Sequence, residues 1–281
     1  MTRMEDNFIA VDGLRLRYIE NGDGPHVLLL HGASLGSSAD VFARNLAPLA
    51  KAGFHAIAFD QPGFGLSDVP ADHSAAYRRD IVPKFMDALR LKQAALVGHS
   101  QAGNPAVQLA LKEPARYTHI SVLGTGSLLP PLDGAGEDRS AAAQQRLERR
   151  MADYEPTIED TRKLLEANLF HHELITPPEL ALRHSRSIGR NFQAFVARNA
   201  AAEAAPPKEP EAPLWQRLTA LKMPLLLIFG RNDRANAAER ATLLKQKYPQ
   251  LNLHIVDNCK HLVPWDAADA FIRLAAPFLK S

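Results

Sequence analysis

Apolar and polar positions along this 281-residue chain follow two interleaved rhythms. Short continuous apolar runs occur at His26–Leu30, Phe54–Phe59, Ala94–Val97 and Ile120–Leu123. Between them, Val41–Ala52, Tyr77–Leu89 and Gln101–Lys112 carry apolar residues at helical spacing. A strand buried on both faces reads as an unbroken apolar run, and its alternation with helices requires parallel strands joined by crossovers. The pattern predicts an α/β fold with a mostly parallel central sheet flanked by helices. Ahead of it, Phe8–Val11 and Leu14–Glu20 are separated by Asp12-Gly13, a strong hairpin signal.

After Gly124 the rhythm changes, and residues from about 127 to 213 contain no clear strand. Glu137–Arg150 is a charged helical stretch that reads as a solvated face. Thr157–Phe170 has leucines at helical spacing, with Thr157 and Asp160 arranged as an N-terminal cap. Glu179–Arg198 continues in the same style, and the proline-rich run Ala205–Pro213 reads as a stiff, exposed connector. The α/β rhythm resumes with Leu225–Phe229, Ala238–Lys247, Leu253–Val256 and a closing helix Asp266–Leu279. The expected organisation is an α/β core from 1–126 and 214–281, interrupted by a helical insertion at 127–213. No internal repeat is visible.

The 33 basic and 31 acidic residues nearly balance, which argues against a nucleic-acid footprint or a polybasic membrane patch. No apolar run approaches the roughly 20 residues that span a bilayer. The N-terminus lacks the apolar core of a secretory signal, and the single cysteine, Cys259, excludes an internal disulfide. These features lead to the expectation of a cytoplasmic protein, with Cys259 a small buried residue. The partner expected is a small-molecule substrate.

The chemistry centres on Ala94-Ala95-Leu96-Val97-Gly98-His99-Ser100-Gln101-Ala102-Gly103. An apolar strand ends at a glycine, a serine follows two residues later, and small residues open a helix. Small residues are needed because the tight turn brings strand and helix backbones close together. Such a turn resembles the nucleophile elbow of the α/β-hydrolases, with Ala102 in place of the usual last glycine. A serine nucleophile needs a base, an acid to orient it, and donors for the oxyanion. Asp233 follows the apolar run Leu225–Phe229 and is the candidate acid; His261 follows Leu253–Val256 and is the candidate base. The rivals are weaker: Asp257 lies at a strand end, His254 lies within a strand, and Gly124-Thr125-Gly126 offers no acid.

The resemblance also covers His31-Gly32-Ala33-Ser34, similar to the family's oxyanion loop, and Asp60–Asp68, similar to a structural loop of the superfamily. It implies an oxyanion hole from the amides of Ala33 and Gln101, a loop-fastening role for His31, and no metal or organic cofactor. It also implies that the insertion is a cap over the site. A serine at the elbow sets the chain apart from relatives with a carboxylate nucleophile.

Within the superfamily the chain is most similar to the meta-cleavage product hydrolases, which split carbon–carbon bonds in ring-fission products. Leu169–Thr176 and Leu180–Arg183 resemble that family's cap segment, and Gly230–Arg234 its acid loop. The likeness implies that Arg183 binds the acidic dienol end of the substrate, beside His99 and Leu262. The chain departs from the pattern at those positions, with His99 for asparagine and Leu262 for tryptophan. Val41 or Asp40 stands where an active-site asparagine is usual, and Gly32–Gly36 replaces a more glycine-rich loop. Two other readings share these motifs: an ester or lactone hydrolase, and a non-hydrolytic relative such as a cofactor-free dioxygenase or a ligand receptor. A homodimer is compatible with the modest apolar content of the insertion.

Overall fold

The computed structural model describes residues 4–132, 153–205 and 212–281. Eight strands form one sheet: β1 (Asn7–Val11), β2 (Leu14–Asn21), β3 (His26–Leu30), β4 (His55–Phe59), β5 (Ala94–His99), β6 (Tyr117–Leu123), β7 (Leu225–Gly230) and β8 (Asn252–Val256). Their spatial order is β1-β2-β4-β3-β5-β6-β7-β8. β1 and β2 form the antiparallel hairpin, turning at Asp12-Gly13 with positive φ at both residues. β2 meets β4 antiparallel, and every pairing from β4 through to β8 is parallel.

Alternate residues of the parallel strands feed two cores. Leu28, Leu30 and Leu96 face one cluster, completed by Phe85 and Met86 of α2 (Ala75–Ala88), Ala106 and Val107 of α3 (Gly103–Lys112) and the later helix Ala237–Lys247. Val27, Leu29 and Val97 face the other, against Leu46 and Leu49 of α1 (Ala43–Lys51) and the closing helix. Burial on both faces is why these strands are apolar at every position.

Between β6 and β7 the described residues contain helices and no strand: α4 (Ile158–Asn168), α5 (Pro177–Ser185) and α6 (Arg190–Ala204). Thr157 and Asp160 form a reciprocal capping box at the start of α4, as the sequence predicts. The continuous pattern over Glu179–Arg198 is divided in two, with Gly189 at φ 59° between α5 and α6. The charged stretch Glu137–Arg150 and most of the Ala205–Pro213 connector lie outside the described residues.

After β7 come α7 (Ala237–Lys247), β8, a four-residue turn of helix α8 (Val263–Asp266) and α9 (Ala268–Phe278). The closing helix expected over Asp266–Leu279 runs Ala268–Phe278, and a separate short helix ahead of it ends at Asp266. Asp266 is drawn inward there, accepting hydrogen bonds from the amides of Lys260, Phe170 and His171. That carboxylate ties the segment just after α4 to the segment carrying His261.

The Asp60–Asp68 loop is organised by one buried carboxylate. Asp60 accepts from the amides of Ala39 and Leu66 at 2.6 and 2.8 Å and faces the Arg17 guanidinium at 3.3 Å. Arg17 also contacts Asp40 and Asp6 at 2.7 and 2.6 Å, and Asp40 in turn accepts from Arg186 of the inserted segment. Burial pushes the Asp60 carboxyl upward against the pull of Arg17. Removing one member of a buried ion network strands the others without compensation. Replacing Arg17 by Met should therefore destabilise the fold by about 3–5 kcal/mol, read as a lowered urea midpoint, with Asp60 and Asp40 left facing each other.

Candidate active site

β5 ends at His99 and the chain turns at Ser100, whose φ is 56°. A non-glycine residue in the left-handed region is strained unless its surroundings impose the conformation. Here a close approach imposes it. A Cβ on Gly98 would come within 2.6 Å of the Ala102 carbonyl, and one on Gly103 within 2.2 Å of Thr125 Oγ1. Thr125, just past β6, donates its hydroxyl to the Ser100 carbonyl at 2.6 Å. The turn is thus held between two strand ends, and the Ser100 side chain is lifted above the sheet edge.

Asp233 and His261 arrive from the loops after β7 and β8. His261 Nε2 lies 2.8 Å from Ser100 Oγ, and His261 Nδ1 lies 3.1 Å from both carboxylate oxygens of Asp233. With Nδ1–H donating to the carboxylate, Nε2 presents its lone pair to the serine hydroxyl. Burial pushes the Asp233 carboxyl up, but His261 and Arg234 outweigh it and hold the carboxyl below its usual range. The rival acid Asp257 is exposed and pairs with Arg231; His254 hydrogen-bonds Asn252 within β8.

On the other side of the serine, a Cβ on Gly32 would fall 2.9 Å from Ser100 Cβ. Gly32 therefore passes directly beside the serine. The loop is pinned by His31, whose Nδ1–H donates to the Gly32 carbonyl at 2.7 Å while Nε2 accepts from the Gln61 amide at 3.0 Å. Burial drives this imidazole down to about 3, so it fastens the loop as a neutral ring.

A cavity of about 200 Å³ opens at the serine, lined by Ser100, Gln101, Thr125, Asp233, Arg234 and His261 among others. Gln101 is on its wall. Arg183, His99, Leu262 and Ala33 are not among the residues lining it. Arg183 is buried against the loop after β3, with Nη2 3.2 Å from Ser34 Oγ and Nε without a partner. Burial lowers its guanidinium to about 10. Leu262 is buried in the apolar cluster with Leu165 and Leu169. Cys259 is buried, and burial raises its thiol.

His99 is buried with Nε2 2.9 Å from the His261 carbonyl, so the ring donates there and holds the backbone of the candidate base. Two further residues meet at the site: Arg234, which closes the acid loop but carries no assigned role in the sequence, and Asn168. Arg234 Nη2 approaches His261 Nε2 to 3.2 Å, and its Nη1 lies 2.5 Å from Asn168 Oδ1 at the end of α4. The sequence signals for Arg234 are its place in the Gly230–Arg234 stretch and a cation directly after the candidate acid. Asn168 has no such signal, because its partner comes from a loop 66 residues away. Among the described residues, no cluster of His, Cys, Asp and Glu is placed to hold a metal ion, and no helix is long and apolar enough to cross a membrane.

Comparison with known proteins gives the class. The family model of the α/β hydrolase fold matches residues 25–268. The chain belongs to the α/β-hydrolase fold family, and its relatives are hydrolases. It is 30% identical, over 97% of its length and 94% of the relative's, to a 2-hydroxy-6-oxononadienedioate/2-hydroxy-6-oxononatrienedioate hydrolase of Burkholderia vietnamiensis. It is also 30% identical, over 96% and 93%, to a 2-hydroxy-6-oxo-6-phenylhexa-2,4-dienoate hydrolase of Burkholderia cepacia. Among solved structures, a meta-cleavage product hydrolase of Pseudomonas fluorescens IP01 superposes with TM-score 0.78 at 26% identity, covering 99% of this chain and 98% of that one.

The buried neutral state of His99 has a consequence for stability. Burial and the neighbouring His261 push its imidazole from 6.5 to about 3. Below pH 6.5 the unfolded chain takes up a proton that the folded chain refuses, so stability present above pH 6.5 is lost as pH falls toward 3. Between pH 7 and 5 this one group should cost roughly 2 kcal/mol. His99→Gln, which keeps a donor without the titration, should show a shallower decline over that range in urea denaturation at the two pH values. Equal slopes would exclude His99 as a contributor.

Proposed function

We propose that the chain is a serine hydrolase with Ser100 as nucleophile, His261 as general base and Asp233 as the group that orients the imidazole. The observation that carries this reading is the continuous relay Ser100 Oγ–His261 Nε2 at 2.8 Å and His261 Nδ1–Asp233 at 3.1 Å. In the mechanism, His261 takes the proton of Ser100 Oγ, or of a water in its place, as the oxygen attacks a substrate carbonyl. The amides of Ala33 and Gln101 stabilise the resulting oxyanion. The imidazolium then returns the proton to the leaving group as the tetrahedral centre collapses. The described part of the insertion, residues 153–205, acts as a cap over the site, held to the core through Arg186–Asp40 and the Asp266 carboxylate.

The substrate class we assign is a 2-hydroxy-6-oxo-dienoate-type ring-fission product, cleaved at a carbon–carbon bond. The names of the relatives support it, as does the cap arginine Arg183 beside the oxyanion loop. A guanidinium there suits a carboxylate, which it can grip through two parallel hydrogen bonds.

A second reading, an ester or lactone hydrolase with the same catalytic residues, is favoured by one specific observation. At the position of the family asparagine, His99 already commits its Nε2–H to the His261 carbonyl, so it does not offer that donor to a substrate. Mixing the protein with yellow 2-hydroxy-6-oxo-dienoates and, in parallel, aryl esters separates the two. The expected result is bleaching of a dienoate that falls by about 10⁴-fold or more in Ser100→Ala with the fold intact. Ester cleavage without bleaching would transfer the protein to the second reading. Undiminished turnover in Ser100→Ala would overturn both.

A further inference from the structure

We propose that Arg234 is a positioning residue for the general base: it holds His261 as the neutral imidazole and makes the imidazolium formed during turnover a readier proton donor. This inference rests on the serine-hydrolase reading of the same site.

The neutral imidazole has one lone pair at Nε2, and two donors converge on it: Ser100 Oγ–H at 2.8 Å and Arg234 Nη2–H at 3.2 Å. Arg234 can only donate, because a guanidinium has no acceptor and keeps its charge. Both its hydrogen bond and its charge therefore favour the unprotonated ring. Once Nε2 takes the serine proton, the same contact sets a proton-bearing nitrogen against a cation. The imidazolium is destabilised where it must next give the proton away.

Arg234 is held in place from the other side by Asn168 Oδ1, at the C-terminal end of α4. Asn168 also accepts the Leu262 amide through its carbonyl, next to the base itself. The inserted segment thereby contacts both the base's backbone and the cation facing its ring.

The other charged and titratable groups around His261 do not duplicate this effect. Asp233, from the loop after β7, faces Nδ1 and favours the charged ring. His99, from β5, has its ring centre 5.4 Å away and is kept neutral by burial. Lys260 turns its ammonium to the Glu166 carbonyl, and Asp266 of α8 is occupied by three backbone amides. Arg234 is the cation in hydrogen-bond contact with Nε2.

The test is the pH dependence of Ser100 labelling by a fluorophosphonate, which requires no knowledge of the natural substrate. Ser100 oxygen forms a bond to phosphorus, fluoride leaves, and the serine proton passes to His261 and then to solvent. The acid limb of the labelling rate reports ionisation of the base in the free protein. Arg234→Met should move that limb to higher pH by about one unit, so that below it labelling is about tenfold slower at the same pH. Arg234→Gln should behave alike and serves if the methionine variant does not fold. Arg234→Lys, which keeps the charge, should lie closer to the unmodified protein. Superposed limbs for Arg234→Met or Arg234→Gln and the unmodified protein would overturn the inference, as would a lysine variant displaced as far as the neutral ones. Labelling that persists unchanged in Ser100→Ala would instead overturn the serine-hydrolase reading, and this inference with it.

Discussion

The strained turn at Ser100 is the constraint on which the rest of the site depends. A side chain in the left-handed region survives only where its neighbours leave no alternative. Here β5 and the start of α3 approach too closely for a side chain at Gly98, Val122 and Thr125 leave no room for one at Gly103, and Thr125 fastens the Ser100 carbonyl from the next strand. Once the serine oxygen is fixed above the sheet edge, the remaining groups must reach it from neighbouring strand ends. The parallel sheet provides this: β3, β6, β7 and β8 lie beside or beyond β5 and all end on the same side. Gly32, Thr125, Asp233 and His261 follow those four strands in turn.

Buried polar contacts hold the loops that bear these groups. Asp60 with Arg17, His31 with Gln61, His99 with the His261 carbonyl, and Asp266 with three amides each fix a different segment around the serine. Loops cannot satisfy their backbone groups through regular ladders, so side chains must do it. Two of these fasteners are histidines that burial keeps neutral, and neutrality suits the task. A charged imidazolium beside the cationic arginines of the inserted segment would add repulsion to the cost of desolvation.

Membership of the α/β-hydrolase family does not by itself fix the bond that is cleaved, because function resides in the site and not in the fold. What distinguishes this chain lies in the polar contacts near the serine. His99 serves the backbone of the base, Leu262 lies in an apolar cluster, and Arg183 packs on the loop after β3. None of these three lines the cavity at the serine, whose wall includes Arg234 together with Ser100, His261 and Asp233.

Local sequence dictates the alternation of strands and helices, the hairpin at Asp12-Gly13, the capping box at Thr157 and the turn at Ser100. Each is a local matter: periodic burial, turn chemistry and steric room act over a few neighbouring residues. It also pointed to Asp233 and His261, because residues just past strand ends in such a sheet face one crevice. Tertiary structure alone decided the break at Gly189, the inward turn of Asp266 ahead of the closing helix, and the role of His99 as a backbone tether. It alone brought Arg234 and Asn168 to the base. Those outcomes depend on partners as many as 162 residues apart, whose meeting is fixed by the fold and leaves no periodic trace in the chain.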